Sequence, residues 1–597
     1  MSRRLFRLLF LAAALTPLAI APPTTGAATC ESLSSLQLPE TTILSATSIP
    51  AGSFDPPGGT PPSAVPAFCR VVARVAPAIN FELWMPATTW NGKFQGVGNG
   101  GLAGSIGYGA LVEGLNRGYA IAGTDTGHMS GAGNAWLLDI GLVTDYSHRG
   151  LHEMTVKSKA LIEAFYGRRP AYSYYTGCST GGKQGLFEAQ RYPDDYDGVI
   201  AGEHANWWSR IMDEEVWIGL ATFKPENRIP TVKLNLLTSA VLAACDGLDG
   251  IMDNVLNDPR GCDFKPELLL CTGADLPACL TAGQVEAARK IYQGPRNPRT
   301  GEQLFPGLTF GSEPLWTGLI NRDRAGGSAD AWFQFAVYGN PSPAWDWTTF
   351  DFDRSLADTQ RLAPISDSTD PDLTPFKSRG GKLIVYEGFS DQTASSRNPI
   401  QYYNRVTGVM GRNNTLDFYR LFMVPGMRHC SGGPGTDNFD MLTALEQWVE
   451  QGIAPERVSA AHRTGGIVDR TRPLCPYPHI AKYTGSGSTD DEANFACMDP
   501  TQALITQTDA ALPPSLARPL TKELARAIDA HQDGDGLKGR SASLRYGAAR
   551  YWVQAYVDRL QKAVKAKRVS AELARPLFAS ARAVLEDFDS LLKPLSP

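Results

Sequence analysis

Two short stretches of the chain carry the residue types of nucleophilic catalysis. In YYTGCSTGGKQG, Tyr174 to Gly185, Ser179 stands in a Gly-x-Ser-x-Gly pattern between Gly177 and Gly181. In VPGMRHCSGGPGTD, Val424 to Asp437, His429 stands in a glycine-rich run. A serine hydroxyl at its ordinary pKa is a poor nucleophile and needs a base; a histidine titrates where such a base must. Each of the two has a cysteine beside it, Cys178 before the serine and Cys430 after the histidine.

The Gly-x-Ser-x-Gly pattern alone is common. Here it follows an aromatic run with strand character and opens a helical run, the setting of a nucleophile elbow, where the chain order is serine, acid, histidine. Of the five histidines that follow Ser179, four are weighed as the base. His429 lies just past a strong apolar strand; His462 falls in polar loop sequence, His479 in a Pro/Cys turn and His531 in the tail. For the acid, Asp391 in YEGFSDQT comes a few residues after a strand. Its rival, Asp437, fits better as the N-cap of the helix expected over 438–450. An oxyanion needs preorganised N–H donors. The amide after the nucleophile, Thr180, is one candidate. Gly101, in the GNGG turn after an early strand, is the other, with plain glycine punctuation as the alternative.

If His429 meets Ser179, their flanking cysteines fall near the ~5.5 Å Cα separation of a disulfide. Ten cysteines are an even number. Spacing alone does not give connectivity, but four natural local pairs stand out: Cys30 with Cys69, Cys245 with Cys262, Cys271 with Cys279 and Cys475 with Cys497. That leaves Cys178 and Cys430. In CDGLDGIMDNVLND, Cys245 to Asp258, three carboxylates fall within eight residues. Asp246, Asp249 and Asp253 repel one another unless a cation is present, and oxygen donors are what Ca2+ prefers. The carbonyls of Ile251 and Val255 would complete the shell, and the metal's role would be structural. A solvated Asp-rich turn is the alternative. A second acidic run, DAHQDGDG (529–536), is a weaker calcium signal.

The elements that must position these residues follow from periodicity. The period-two segments RVVARVA and FELWMP read as strands, as do GKFQGV, YAIAGT, YSYYTG, DGVIAG, GKLIVYEG and LDFYRLFMVPG, and 3.6-period segments between them read as helices. Leu151, Met154, Leu161, Ile162 and Phe165 share one helical face; Met441, Leu442, Leu445, Trp448 and Val449 share another. Strands alternating with helices imply a parallel sheet covered on both faces. Between 203 and 378 the pattern dissolves into Trp-, Pro- and Asn-rich sequence, too long for a loop. The fold class is therefore α/β. An α/β-hydrolase core at 29–202 and 379–499 is interrupted by a lid subdomain at 203–378. Residues 500–597 read as a linker (LITQTDAALPPSLARPL) and a helical C-terminal extension, a packing or surface-attachment module.

Residues 1–28 read as a signal peptide: Arg3, Arg4 and Arg7 precede an apolar run, and Gly26-Ala27-Ala28 offers a cleavage site. Export to an oxidising compartment agrees with the cysteine count. No later stretch reads as apolar enough to span a bilayer. The 597 residues carry a net charge of -5, which gives no electrostatic reason for a nucleic-acid partner.

The pieces GCSTGGKQG, CDGLDGIMDN, VPGMRHCSGGPGTDNFDMLTALEQWVEQG and RTRPLCPYPHIAKYTGSG closely resemble the tannase and feruloyl esterase family, from about Cys30 to Cys497. The resemblance implies a secreted serine carboxylic-ester hydrolase with Ser179, His429 and Asp391 as triad and a Cys178–Cys430 bridge. It implies the four other pairings, no organic cofactor, and Ca2+ held by Asp246, Asp249, Ile251, Asp253 and Val255. It also implies a lid that makes most substrate contacts. The substrate would be a small aromatic ester or an ester-decorated polymer, of feruloyl or galloyl type. The alternative is the mono(2-hydroxyethyl) ester of terephthalate. For that diacid ester a carboxylate-binding arginine would be needed, with Arg322 and Arg324 as candidates. Thr180 is the residue usual in the wider family, where the terephthalate-ester enzyme has Glu. The tail lies outside the resemblance. Two rivals stand beside it: a serine peptidase, and a non-catalytic polymer-binding protein anchored by the tail.

Overall fold

The structure is a computed structural model that describes residues 28–58, 60–102, 104–340 and 343–593. The proposed signal peptide falls almost wholly on 1–27, outside the described residues. Nine strands form one sheet: β1 (Thr41–Ile49), β2 (Phe68–Val75), β3 (Ile79–Pro86), β4 (Lys93–Val97), β5 (Ala120–Thr124), β6 (Tyr172–Cys178), β7 (Gly198–Gly202), β8 (Lys382–Gly388) and β9 (Tyr419–Val424). Their spatial order is β1-β2-β3-β5-β4-β6-β7-β8-β9. β1, β2, β3 and β5 pair antiparallel, and from β5 through β4 to β9 every pair is parallel.

Side chains alternate across a strand, so each central strand feeds two cores. Tyr175 and Val199 join a cluster on one face, covered by α2 (Gly150–Tyr166), α3 (Thr180–Arg191) and α7 (Arg397–Met410). Tyr174 and Ile200 join the cluster on the other face, under α1 (Tyr108–Asn116) and α8 (Met441–Gln451). Leu151, Met154, Leu161 and Ile162 of α2 are buried as their spacing predicts, with Phe165 at the cluster's edge. The architecture is an α/β-hydrolase fold with a C-terminal helical region.

The chain between β7 and β8 supplies most of two further apolar clusters, around α4 (Trp208–Phe223), α5 (Thr231–Cys245) and α6 (Ala282–Gln293), the first of which also takes in Leu137, Val143 and Ala394. One expectation is corrected here. The segment Pro225–Asp249 is long and apolar enough, by length and composition, to pass for a membrane span, with a mean hydropathy of 1.2. Its residues Leu234, Leu237 and Val241 are buried against neighbouring lid helices.

Four local expectations also change. The linker is not one: it forms α9 (Pro500–Ala511) and the start of α10 (Pro514–Asp535), followed by α11 (Gly539–Lys565) and α12 (Ala571–Leu592). Of its prolines, Pro514 occupies the first turn of α10, where the missing N–H costs nothing, and Pro519 lies inside that helix. Asp529 to Asp535 likewise lies inside α10 rather than in a cation loop. The helix expected over 438–450 begins at Met441, and its N-cap is Asp440, whose carboxylate accepts the Thr443 amide at 2.9 Å. Asp437 instead accepts the Gly432 amide at 2.6 Å and braces the histidine loop. His462 sits in a strand, Val458–Thr464, not in a loop.

All ten cysteines are bonded, in the pairs that the spacing and the resemblance imply. Cys30 is joined to Cys69, which ties the start of the described chain to β2. Cys245 is joined to Cys262 and Cys271 to Cys279, both within the lid. Cys475 is joined to Cys497, and Cys178 to Cys430.

Candidate active site

Ser179 is the residue between the end of β6 and the first turn of α3. Its backbone lies at φ 63, ψ -122, a conformation L-residues rarely adopt. The turn is held from both sides: the Ser179 amide donates to the Gly202 carbonyl at 3.0 Å, and its own carbonyl accepts the Lys183 amide at 3.0 Å and the Ala205 amide at 3.2 Å. A Cβ on Gly177 would lie 2.6 Å from the Gly181 carbonyl, and one on Gly182 would lie 2.3 Å from the Gly202 oxygen. The glycines are there because strand, helix and neighbouring strand meet at contact distance.

Asp391 and His429 come from the loops after the adjacent strands β8 and β9. Asp391 is fully buried; one oxygen accepts the Thr393 amide at 2.6 Å, and the other lies 2.7 Å from Nδ1 of His429. The histidine loop is bolted to the serine turn by Cys178–Cys430, whose Cα atoms are 6.0 Å apart. Ser179 Oγ, half-buried, makes no hydrogen bond to the ring in this structure. What the structure joins directly is their neighbours, Cys178 and Cys430.

A residue not singled out by the sequence stands beside them. Glu203, the first residue past β7, is buried at φ 39, and its Oε2 lies 3.2 Å from the same Nδ1. Its carboxylate also accepts the amides of Gly388, at 3.0 Å, and Cys430. Burial first, then the charge of Asp391, pushes Glu203 up to about 7. Burial alone would lower His429, but Asp391 and Glu203 outweigh it and pull the imidazole up to about 10. No spacing rule points to Glu203; the only signal was a carboxylate directly behind an apolar strand.

Thr180 begins α3, so its amide has no intrahelical acceptor. Its hydroxyl donates to the Gly101 carbonyl at 2.9 Å, and the Tyr146 hydroxyl donates to the same oxygen at 2.6 Å. Gly101 sits at φ 56, which fixes the turn against the helix start. Around this point gathers an apolar cluster that includes Leu102, Trp136, Trp207, Trp208, Trp332 and Phe305. Lys183, one turn into α3, is wholly buried, with Nζ 4.4 Å above the rings of both Tyr146 and Trp208. Arg322 lies beside Gly326 near Glu215, and Arg324 is exposed. Neither is in contact with the serine turn.

The aspartate loop folds on itself in the lid. Asp246 accepts the Asn254 amide at 3.0 Å, Asp249 the Ile251 amide at 2.9 Å, and Asp253 the Val255 amide at 3.2 Å. Burial, with help from Asp253, raises Asp249 to about 7. Arg472 reaches Asp253 at 2.9 Å, and Lys482 donates to the Asp249 carbonyl at 2.8 Å. The donor set is all oxygen and fits a hard cation by type. Its carboxylates are not drawn as close as the buried acids at His429, whose ligand atoms lie within 4.8 Å of one another.

A serine on a strained strand-to-helix turn, with a His–Asp pair in the loops after two neighbouring parallel strands, is an arrangement of the α/β-hydrolase type. The family model for tannase and feruloyl esterase matches residues 63–498. An uncharacterised esterase of Xanthomonas campestris pv. campestris is 40% identical over 531 residues, covering 79% of this chain and 91% of that protein. Mono(2-hydroxyethyl) terephthalate hydrolase of Piscinibacter sakaiensis is 35% identical, covering 73% of this chain and 86% of that protein. The crystal structure of feruloyl esterase B from Aspergillus oryzae superposes with a TM-score of 0.73 at 30% identity, over 79% of this chain and 99% of that one. The chain belongs to the tannase and feruloyl esterase family and is a carboxylic-ester hydrolase.

Proposed function

We propose that this is a secreted serine esterase acting on esters of aromatic acids, feruloyl or galloyl in type, through a Ser179 acyl-enzyme. The observation that carries the reading is the His429–Asp391 contact of 2.7 Å on a loop tied by disulfide to the residue before Ser179. His429 takes the serine proton as the hydroxyl attacks the ester carbonyl, then delivers it to the departing alcohol. Asp391 holds the Nδ1 proton and so keeps Nε2 free as the base. The amides of Thr180 and Gly101 stabilise the oxyanion. Trp136 and Trp207, half-buried beside Leu102, offer flat apolar faces to an aromatic acyl group. Water then hydrolyses the acyl-enzyme with His429 again as base.

The aspartate loop would hold Ca2+ through Asp246, Asp249, Asp253 and the carbonyls of Ile251 and Val255, as a structural ion that neutralises buried like charges. Five disulfides support export.

The second reading, a hydrolase of the terephthalate monoester, draws on the 35% identity to the Piscinibacter enzyme. Against it, Thr180 stands where that enzyme type carries Glu, and Arg322 and Arg324 lie away from the serine turn. Comparing kcat/KM on methyl ferulate, methyl gallate and the terephthalate monoester separates the two: the phenolic esters should lead by at least tenfold. A reversed order overturns the substrate class. Ser179→Ala should cost a factor on the order of 10^4 or more in kcat with the fold intact; retained turnover overturns the nucleophile assignment, whereas a wild type that turns over none of the three esters overturns the choice over a binding protein.

A further inference from the structure

Asp391 satisfies the usual requirement for one acid behind the catalytic histidine, yet a second carboxyl reaches the same nitrogen. Glu203 lies 3.2 Å from Nδ1 of His429, against 2.7 Å for Asp391. A carboxylate buried this deeply must be paired or hydrogen-bonded. Glu203 is both: one oxygen takes the Gly388 amide at 3.0 Å, and the other takes the Cys430 amide and faces the ring. The contact is costly to make. Glu203 sits at φ 39 and Cys430 at φ 62, two non-glycine residues in the left-handed region joined by the hydrogen bond from the Cys430 amide to the Glu203 carboxylate. Backbone held there persists only where its surroundings over-determine it. Gly388 is part of the same fit, since a Cβ there would lie 2.8 Å from Glu203 Oε1.

We infer that Glu203 is a positioning residue for the catalytic base: with Asp391 it shares the Nδ1 proton of His429, and by its charge it sets the pH below which the ring is no longer free to accept the Ser179 proton. This rests on His429 being the base. The titratable groups facing Glu203 are His429 and Asp391 at the ring, with Tyr386 and Glu387 of β8 beside them. Tyr386 stays protonated, since burial raises it. Burial raises Glu387 as well, with the charges of Asp391 and Glu203 adding to the shift.

The sign follows from the charges. Each anion at the ring favours the imidazolium, so two anions make His429 hold a proton to higher pH than one would. The three groups titrate together, and a pH–rate profile reports the cluster. Removing one anion must move the acid limb of kcat/KM to lower pH. Glu203→Gln keeps the shape and one acceptor oxygen while removing the charge; the limb should fall by about one pH unit. A clamp that merely braced the loop would lower kcat/KM equally at every pH and leave the limb in place, and that result overturns the inference.

The ring can also be followed without turnover. In Ser179→Ala, histidine 13Cε1–1H NMR should show His429 titrating about one unit lower when Glu203→Gln is added. An unchanged titration overturns the inference. Should the glutamine variant fail to fold, Glu203→Asp withdraws the carboxylate by one methylene and should lower the limb by a smaller step; an unmoved limb again counts against it. The two readings fail separately. A working Ser179→Ala enzyme sinks the triad, whereas an inactive Ser179→Ala with unmoved titration sinks only the role of Glu203.

Discussion

Lys183 brings an ammonium into a place with no anion at hydrogen-bond distance. Two aromatic faces receive it at 4.4 Å, and its Nζ has no hydrogen-bond partner among the described residues. Burial lowers it from 10.5 to about 7, with Asp367 pulling weakly the other way. Between those values the unfolded chain binds a proton that the folded one does not, so this group's contribution to stability rises with pH from about 7 and is constant below that. Lys183→Met deletes the titration. Its melting temperature relative to the wild type should be highest at pH 7 and below and should shrink by a few degrees towards pH 10; a flat difference would mean an ordinary lysine pKa. At this scale the sequence is legible where spacing follows from chain geometry. Ser179 stands out through its glycines, and His429 and Asp391 through their places just after strands. Glu203 and Lys183 matter through what lies opposite them, across 226 residues from Glu203 to His429 by their numbers, and no one-dimensional pattern carries that.

The elements were legible wherever burial on one face imposed a period. All eight strand segments named from the sequence belong to the sheet. Where local chemistry competes, the reading slipped. Asp437 and Asp440 lie three residues apart, and either could cap a helix, but the short strand at Asn438–Phe439 takes the first and leaves the second to the cap. Prolines at 513 and 514 end one helix and begin another, which in sequence looks the same as a linker. The aspartate loop is decided at this scale too. If it binds Ca2+, removing the ion should lower the melting temperature by several degrees, since an ion at a hundred times its Kd contributes about 2.7 kcal/mol. A metal-stripped protein that melts unchanged would show that Arg472 and Lys482 balance the carboxylates unaided.

Across the whole molecule, the C-terminal helices dock onto both the lid and the core. Asp587 of α12 accepts from Arg260 of the lid and, at 2.6 Å, from the Tyr477 hydroxyl of the core. Arg397 meets Glu586 at 2.7 Å, and Arg582 meets Asp263 at 2.9 Å. Arg260 and Asp587 are buried, so this is an internal seam and not a tethered module. Asp587→Ala should cost about 3 kcal/mol, the low end for unpairing a buried charge, because Asp258 still holds Arg260 at 2.7 Å. Denaturant unfolding measures it, and a loss under about 0.5 kcal/mol, the range of a surface substitution, would mark the extension as separable. The bridge of Cys178 to Cys430 encloses 252 residues of sequence separation with the entire lid inside. A protease that nicks the lid once therefore cannot part the serine-bearing fragment from the histidine-bearing one. They travel on as a two-piece molecule whose halves separate only when that bond is opened.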